Sequence, residues 1–248
     1  MFEEKIDRIK EKTEIIVLPE MFSTGFVIQP NGLAETMEGD TLQWMKRVAA
    51  KKKVILTGSV IIKETDQVAA SAPTRYYNRL IWMLPTGEYG YYDKRHRFAF
   101  AGEDQNYTAG NKRLIASVKG WKVNLQVCYD LRFPVWSRQA IGENEELEYD
   151  LLIYVANWPE RRNHAWKTLL QARAIENQCF VVGLNRVGKD GTDLYHSGDS
   201  MIIDPLGEVL YHKKDDEDVF TITLDKAHLQ SVREKFPFWK DRDQFTIQ

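Results

Sequence analysis

Apolar positions in this chain fall into two patterns, short continuous runs and runs spaced three or four residues apart. Phe2, Ile6 and Ile9 recur at helical spacing and predict a helix over residues 2–12. The run EIIVL, residues 14–18, then reads as a buried parallel strand. Leu42, Met45, Val48 and Ala49 mark a helix over residues 40–52. Strands follow at 54–61 and 75–84, and Pro85-Thr86-Gly87 turns the chain into another at 89–93. Lys119-Gly120 separates strands at 113–118 and 121–127. Residues 134–141 read as helix, DLLIYV at 150–155 as a buried strand, and 163–178 as a long helix. Strands at 179–185, 199–204, 207–212 and 218–224 precede a last helix near 225–235. Such βα units at the two ends, with hairpins between them, predict an α/β fold that is not a uniform doubly wound sheet.

Composition narrows the class. The chain has 248 residues, 43% hydrophobic and 28% charged, with 7 Trp, 11 Tyr and 11 Phe. That is ample material for a packed core and excludes a disordered chain. Lys and Arg total 34 against 36 acidic residues, a net charge of −2, which argues against general nucleic-acid binding. No apolar run is long enough to cross a bilayer. The first residues, MFEEKIDRIKEK, are charged throughout and do not read as a signal peptide. Two cysteines are too few for a disulfide framework, so a cytoplasmic protein with free thiols is expected. No repeat, linker or low-complexity run appears, and residues 1–248 read as a single domain. The charged stretches at 51–53, 143–148 and 213–218 read as solvated turns or helix ends.

Ligands of open α/β sheets bind beyond the carboxyl ends of strands. Four predicted strand ends carry reactive residues: Glu20 after Leu18-Pro19, Lys94 after Tyr92-Asp93, Cys128 after Val127, and Asn157-Trp158 after Val155-Ala156. Cys128 at a strand-to-turn junction reads either as an exposed nucleophile, active as thiolate, or as an inert buried thiol. Cys179 begins the apolar strand CFVVGL and reads as inert. Glu20 is a general acid–base if its surroundings are apolar, or else a cap or ion-pair partner. Lys94 stabilises an oxyanion or a thiolate, or is one more exposed lysine beside Arg95 and Arg97. None of the five histidines stands in a Cys/His motif. The absence of HxxxH, HExxH and CxxC spacings leaves a metal site little support, and no GxGxxG or P-loop motif supports a nucleotide site.

Taken together, VLPEMFSTGF around Glu20, YYDKRHRF around Lys94 and LQVCYDLRFPVWSR around Cys128 resemble the nitrilase superfamily, the carbon–nitrogen hydrolases. YVANWP (154–159), ARAIENQCFVVGLNRVG (172–188) and HSGDSMIIDPLGEVL (196–210) extend the resemblance over residues 14–240. It implies a four-layer αββα sandwich, a homodimer or higher homo-oligomer, and a Glu20–Lys94–Cys128 triad without cofactor or metal. Glu103, in AGEDQNYTAG, matches a second active-site glutamate; its alternative is an exposed loop acid beside Asp104. Relatives begin with a further strand that this sequence does not show, so the strand at 14–18 is expected to have an unpaired edge.

The resemblance further implies that Cys128 attacks a primary amide and leaves a thioester, with Lys94 and the Tyr129 N–H on the oxyanion and Glu20 moving protons. LPEMFSTGF, VCYDLRFPVWSR and VANWP look most like the omega-amidase branch, which cleaves the terminal amide of short 2-oxo acids such as 2-oxoglutaramate and 2-oxosuccinamate. The distal carboxylate of such a substrate calls for a cation, with Arg95, Arg97, Arg132, Arg161 and Arg162 as candidates. Arg132 reads first as an ion-pair partner of Asp130 or another buried acid. Asn157 and Trp158 are candidate pocket residues, Trp158 equally a core residue. Arg173 and Glu176, three apart on the long helix, read as a structural pair. The competing readings are another carbon–nitrogen hydrolase (an amidase for deaminated glutathione, a carbamoyl-amine hydrolase or a nitrilase), a non-catalytic metabolite-binding relative, and a redox protein using both thiols.

Overall fold

The computed structural model describes residues 1–65, 73–140, 146–243 and 245–246. The chain forms two compact units, Met1–Leu114 and Ile115–Gln248.

The first unit contains α1 (Phe2–Asp7), β1 (Ile15–Val17), α2 (Asp40–Lys52), β2 (Ile55–Glu64), β3 (Arg75–Met83), β4 (Tyr89–Asp93) and the short α3 (Glu103–Asn106). Its sheet runs β1-β2-β3-β4. β1 is parallel to β2, with Ile15 opposite Ile55, and the other pairs are antiparallel. α2 spans the residues its apolar spacing predicted and buries Leu42, Met45, Val48 and Ala49 against Leu56, Ile62, Ile81 and Met83. The other face of β2 carries Thr57, Ser59 and Ile61, all buried, as the alternation of side chains requires. β1 lies at the edge of its sheet. α1 is shorter than the predicted 2–12: in the run that follows, Lys10 N–H donates to the Glu11 carboxylate and Ile9 O accepts from Lys52 Nζ at 3.2 Å in place of helical bonds.

The second unit contains β5 (Ile115–Val118), β6 (Trp121–Val127), α4 (Pro134–Ser137), β7 (Leu151–Ala156), α5 (Asn163–Asn177), β8 (Phe180–Asn185), β9 (Val187–Lys189), β10 (Tyr195–Ile203), β11 (Val209–Lys214) and α6 (Lys226–Lys235). The sheet order is β11-β10-β8-β7-β6-β5, with β9 paired to β10. β6, β7 and β8 are mutually parallel, and the remaining neighbours are antiparallel. All six residues of β7 are buried. α5 packs Trp166, Leu170 and Ala174 against Leu152, Tyr154, Val181 and Met201. Gly183 on β8 makes room for that helix, since a Cβ there would lie 2.3 Å from Leu170 Cδ1.

Three expectations change here. Residues 218–224 form no strand, although VFTITL alternates as a strand does. Asp218 takes its neighbour's N–H (Val219, 2.7 Å) and the Tyr211 hydroxyl (2.7 Å), and Phe220 stacks on Tyr211 at 4.0 Å. Side-chain bonds of this kind compete with a ladder. α4 ends at Ser137 rather than 141: Arg138 is already extended, and residue 141 lies outside the described residues, as do 143–145 of the predicted charged stretch. β10 starts at Tyr195, four residues before the predicted 199, through an irregular step where Gly198 and Asp199 both have positive φ.

Candidate active site

Glu20 is held by the turn after β1. Leu18 N–H donates to Thr57 O (2.7 Å), Met21 N–H to Ser59 Oγ (2.8 Å) and Phe22 N–H to Ser59 O (3.1 Å), so the turn lies directly on β2. Met21 takes φ +44 to make the bend. Gly58 allows the close approach: a Cβ there would meet Leu18 Cβ at 2.8 Å and Phe22 at 2.9 Å.

Lys94 leaves the end of β4. Its N–H donates to Asn78 O (3.0 Å), and its own carbonyl accepts from Gly110 N–H (3.1 Å). Glu103 opens α3 after Gly102, which has φ +83. Its carboxylate accepts the Phe98 N–H at 2.5 Å. Arg97 Nη1 ties the same loop down by donating to the carbonyls of Asp104 (3.4 Å) and Tyr107 (3.0 Å). These elements bring Glu20, Lys94 and Glu103 together. Lys94 Nζ lies 3.0 Å from Glu20 Oε1, and 3.1 and 2.8 Å from the two oxygens of Glu103. All three side chains are buried. Glu103 is therefore not an exposed loop acid, and Lys94 is not one more surface lysine.

Two carboxylates share one ammonium. Burial raises the Glu103 pKa above the ordinary carboxyl value; Lys94 opposes that shift and the Glu20 charge adds to it. Tyr107, whose hydroxyl donates to Val27 O (2.7 Å), is raised beyond the usual phenol range by burial and then by the charges of Glu103 and Glu20. A desolvated carboxyl beside an ammonium is a candidate for moving protons.

One member of the cluster escaped the sequence reading. Asn78, on β3, donates Nδ2 to Glu20 Oε1 (2.8 Å) and to Glu103 Oε1 (3.4 Å). The available signal was an asparagine inside the apolar run RYYNRLIWM, since strands are poor in this residue.

In the second unit, Cys128 follows the last residue of β6 and opens a tight turn, Cys128–Arg132, with φ +45. Asp130 braces the turn by accepting the Val127 N–H (3.0 Å), and Arg173 Nη2 donates to Leu131 O (2.6 Å). Arg173 also pairs with Glu176 at 2.8 Å, the structural pairing the sequence predicted. Pro134 opens α4 as expected. Cys128 is half-buried, while Cys179 is fully buried and its thiol is pushed well above the ordinary range by burial. Neither Cys128 nor Cys179 is in a disulfide. Tyr129 packs edge-on against Phe133, centroids 5.1 Å apart.

Asn157 and Trp158 leave the end of β7, both buried. Trp158 is clamped by Asn185, which accepts its N–H (2.7 Å) and donates to its carbonyl (2.9 Å). Its ring lies 5.5 Å from that of Trp166, and its Nε1 donates to Arg162 O (2.8 Å). The Arg132 guanidinium carbon lies 4.9 Å from the Trp158 ring centroid, and Asp130 accepts the Val127 N–H. Arg161 is exposed and Arg162 half-buried. Burial, and then the like charge of Arg161, lower the Arg162 pKa, whereas Cys128 acts to raise it. Among the described residues no group of acidic, histidine or cysteine side chains could hold a metal ion, and no helix is long and apolar enough to cross a membrane.

The first unit thus holds a buried Glu–Lys–Glu cluster, and the second a thiol at a positive-φ strand-to-turn junction. The carbon–nitrogen hydrolase family model matches residues 3–234, and the chain belongs to that family. The omega-amidase YafV of Escherichia coli (strain K12) is 41% identical over 239 residues, covering 94% of this chain and 86% of that protein. The 2-oxoglutaramate amidase of Bacillus subtilis (strain 168) is 32% identical over 239 residues, covering 95% and 87%. Among solved structures, XC1258 from Xanthomonas campestris, a CN-hydrolase superfamily protein with an arsenic adduct in its active site, matches with a TM-score of 0.93 at 42% identity, covering 100% of this chain and 91% of that one.

Proposed function

We propose that this carbon–nitrogen hydrolase is an omega-amidase, which removes the terminal amide of a short 2-oxo dicarboxylic acid monoamide such as 2-oxoglutaramate or 2-oxosuccinamate. The observation that carries this reading is the buried Glu20–Lys94–Glu103 cluster in a chain 41% identical to a protein named as an omega-amidase. In the proposed reaction Glu20 takes the Cys128 thiol proton, and the sulfur attacks the amide carbon. Lys94 and the Tyr129 N–H stabilise the resulting oxyanion. Collapse breaks the C–N bond, Glu20 returns the proton, and ammonia leaves behind a thioester. Glu20 then takes a proton from water, the hydroxyl oxygen displaces the sulfur, and the 2-oxo acid is released with the thiol restored. Glu103 holds Lys94 in place. Every atom comes from amide and water, so no cofactor enters.

Asn157 and Trp158 line the pocket in this reading, and Arg162 takes the distal carboxylate. Arg162 is favoured among the five arginines because Cys128 and Tyr129 act on it electrostatically, while Arg97 is engaged with backbone carbonyls. The resemblance supports a homodimer in which residues 1–248 act as one domain. Two cysteines that form no disulfide suit a reducing, cytoplasmic compartment. Ammonia release from 2-oxoglutaramate beside glutamine, an aliphatic amide and a nitrile tests the substrate: release from the oxo-acid amide supports it, and release only from the others discards it.

A further inference from the structure

We propose that Asn78 is a positioning residue for amide hydrolysis, its side-chain amide locking the Glu20 carboxylate beside Lys94 and holding Glu20 and Glu103 apart. Three contacts carry this. Asn78 Nδ2 reaches one oxygen of each glutamate, at 2.8 and 3.4 Å. The Asn78 backbone carbonyl accepts the Lys94 backbone N–H at 3.0 Å, so the main chains that carry the amide and the amine are tied together at this point. Both Asn78 and Lys94 donate to the same oxygen of Glu20, Oε1, which fixes the rotation of that carboxylate.

The fold does not ask for an amide here. Asn78 lies opposite Ile61 on β2, in a strand whose next buried residues are Arg79, Leu80, Ile81, Trp82 and Met83. Its Oδ1 is buried with no hydrogen-bond partner among the described residues. An orphaned buried acceptor is destabilising, and a residue that breaks a packing rule in this way marks a place where function sets the side chain. The charged and titratable groups around Glu20 in this unit are Lys94 and Glu103, with Tyr107 beyond them. Two carboxylates compete there for a single ammonium. A neutral N–H₂ group supplies each with a donor and adds no charge, so Lys94 remains a full cation for the oxyanion.

The inference rests on the role proposed above for Glu20, and its test separates the two. Asn78→Asp keeps the size and removes the donor; Asn78→Ser is smaller and neutral. Both are compared with Glu20→Gln for ammonia release from 2-oxoglutaramate across pH. A donor taken from a carboxylate makes it protonate at higher pH. The acid limb of kcat/KM is expected to move up by about one pH unit in Asn78→Asp, with kcat down roughly ten-fold and KM within about two-fold. Asn78→Ser is expected to shift in the same direction by less. Folded variants with the parent kcat and an unmoved acid limb would overturn the proposal. Full turnover in Glu20→Gln overturns the role of Glu20 instead. If neither Asn78 variant folds, the 15N-labelled parent protein decides. Its Asn78 side-chain amide signal is expected to titrate with the midpoint of the acid limb, and a signal constant across that limb would overturn the proposal.

Discussion

Lys94 Nζ and Glu103 Oε2 lie 2.8 Å apart, with side-chain exposures of 1% and 0%. Water does not screen this pair, and the second acid at 3.0 Å, Glu20, makes the ammonium a shared resource. The pH dependence of stability should show it. Burial raises the Glu103 pKa above its ordinary value of 4.5, so above that value the folded state holds a proton that the unfolded state has lost. Stability from this group is therefore lost as pH rises through the raised value. Glu103→Gln, which keeps the shape and cannot ionise, should flatten that slope. Urea unfolding across pH checks it; parallel pH profiles for the two proteins would contradict the account.

The position of Lys94 also depends on Gly110. A Cβ at residue 110 would lie 1.9 Å from Asp93 O, which is backbone that cannot step aside. Gly110→Ala should cost about 3 kcal/mol, read as a drop in urea midpoint, and should lower kcat because residues 93 and 94 must move. A variant as stable and as active as the parent would contradict the geometry.

The two thiols should differ sharply in reactivity. Cys128 is half-buried at a turn, whereas Cys179 is fully buried and its thiol is raised by burial. Brief iodoacetamide treatment of the native protein, followed by peptide mass spectrometry, should find the label at Cys128 and none at Cys179. Equal labelling of both would remove the reason to single out Cys128.

The proposal that Arg162 takes the substrate's distal carboxylate has a selective test. Arg162→Gln should raise KM for 2-oxoglutaramate about ten-fold or more, the worth of a charge-assisted pair. Turnover of a neutral aliphatic amide, if the parent has any, should stay the same. An unchanged KM for the oxo-acid amide would send the search to Arg132 or Arg161.

Much of the fold and most of the cluster were legible in the sequence because both are written at strand ends. A buried run such as LQV or IIV has to stop, and the polar residue just past the stop is the one left facing a ligand; Glu20, Lys94 and Cys128 all stand there. α2 and β6 matched their predicted bounds because apolar spacing and turn residues agreed. What stayed hidden has physical causes. Asn78 sits mid-strand, where an alternation of faces tells nothing of a polar contact made across to Glu20. β9 is three residues long and contains Gly188 at φ +92, too short for any period. Residues 218–224 have a strand's alternation, but Asp218 and Tyr211 satisfy one another through side chains. The stacking of Arg132 on Trp158 follows from the paths of two separate segments, which no local pattern encodes.

In the proposed function a Cys128 thiolate hydrolyses the terminal amide of a 2-oxo acid. Ammonia release from 2-oxoglutaramate, measured for the parent protein and for Cys128→Ala side by side, tests it most directly. The account predicts steady release by the parent and none above background in a folded Cys128→Ala. Release that survives the substitution would contradict it.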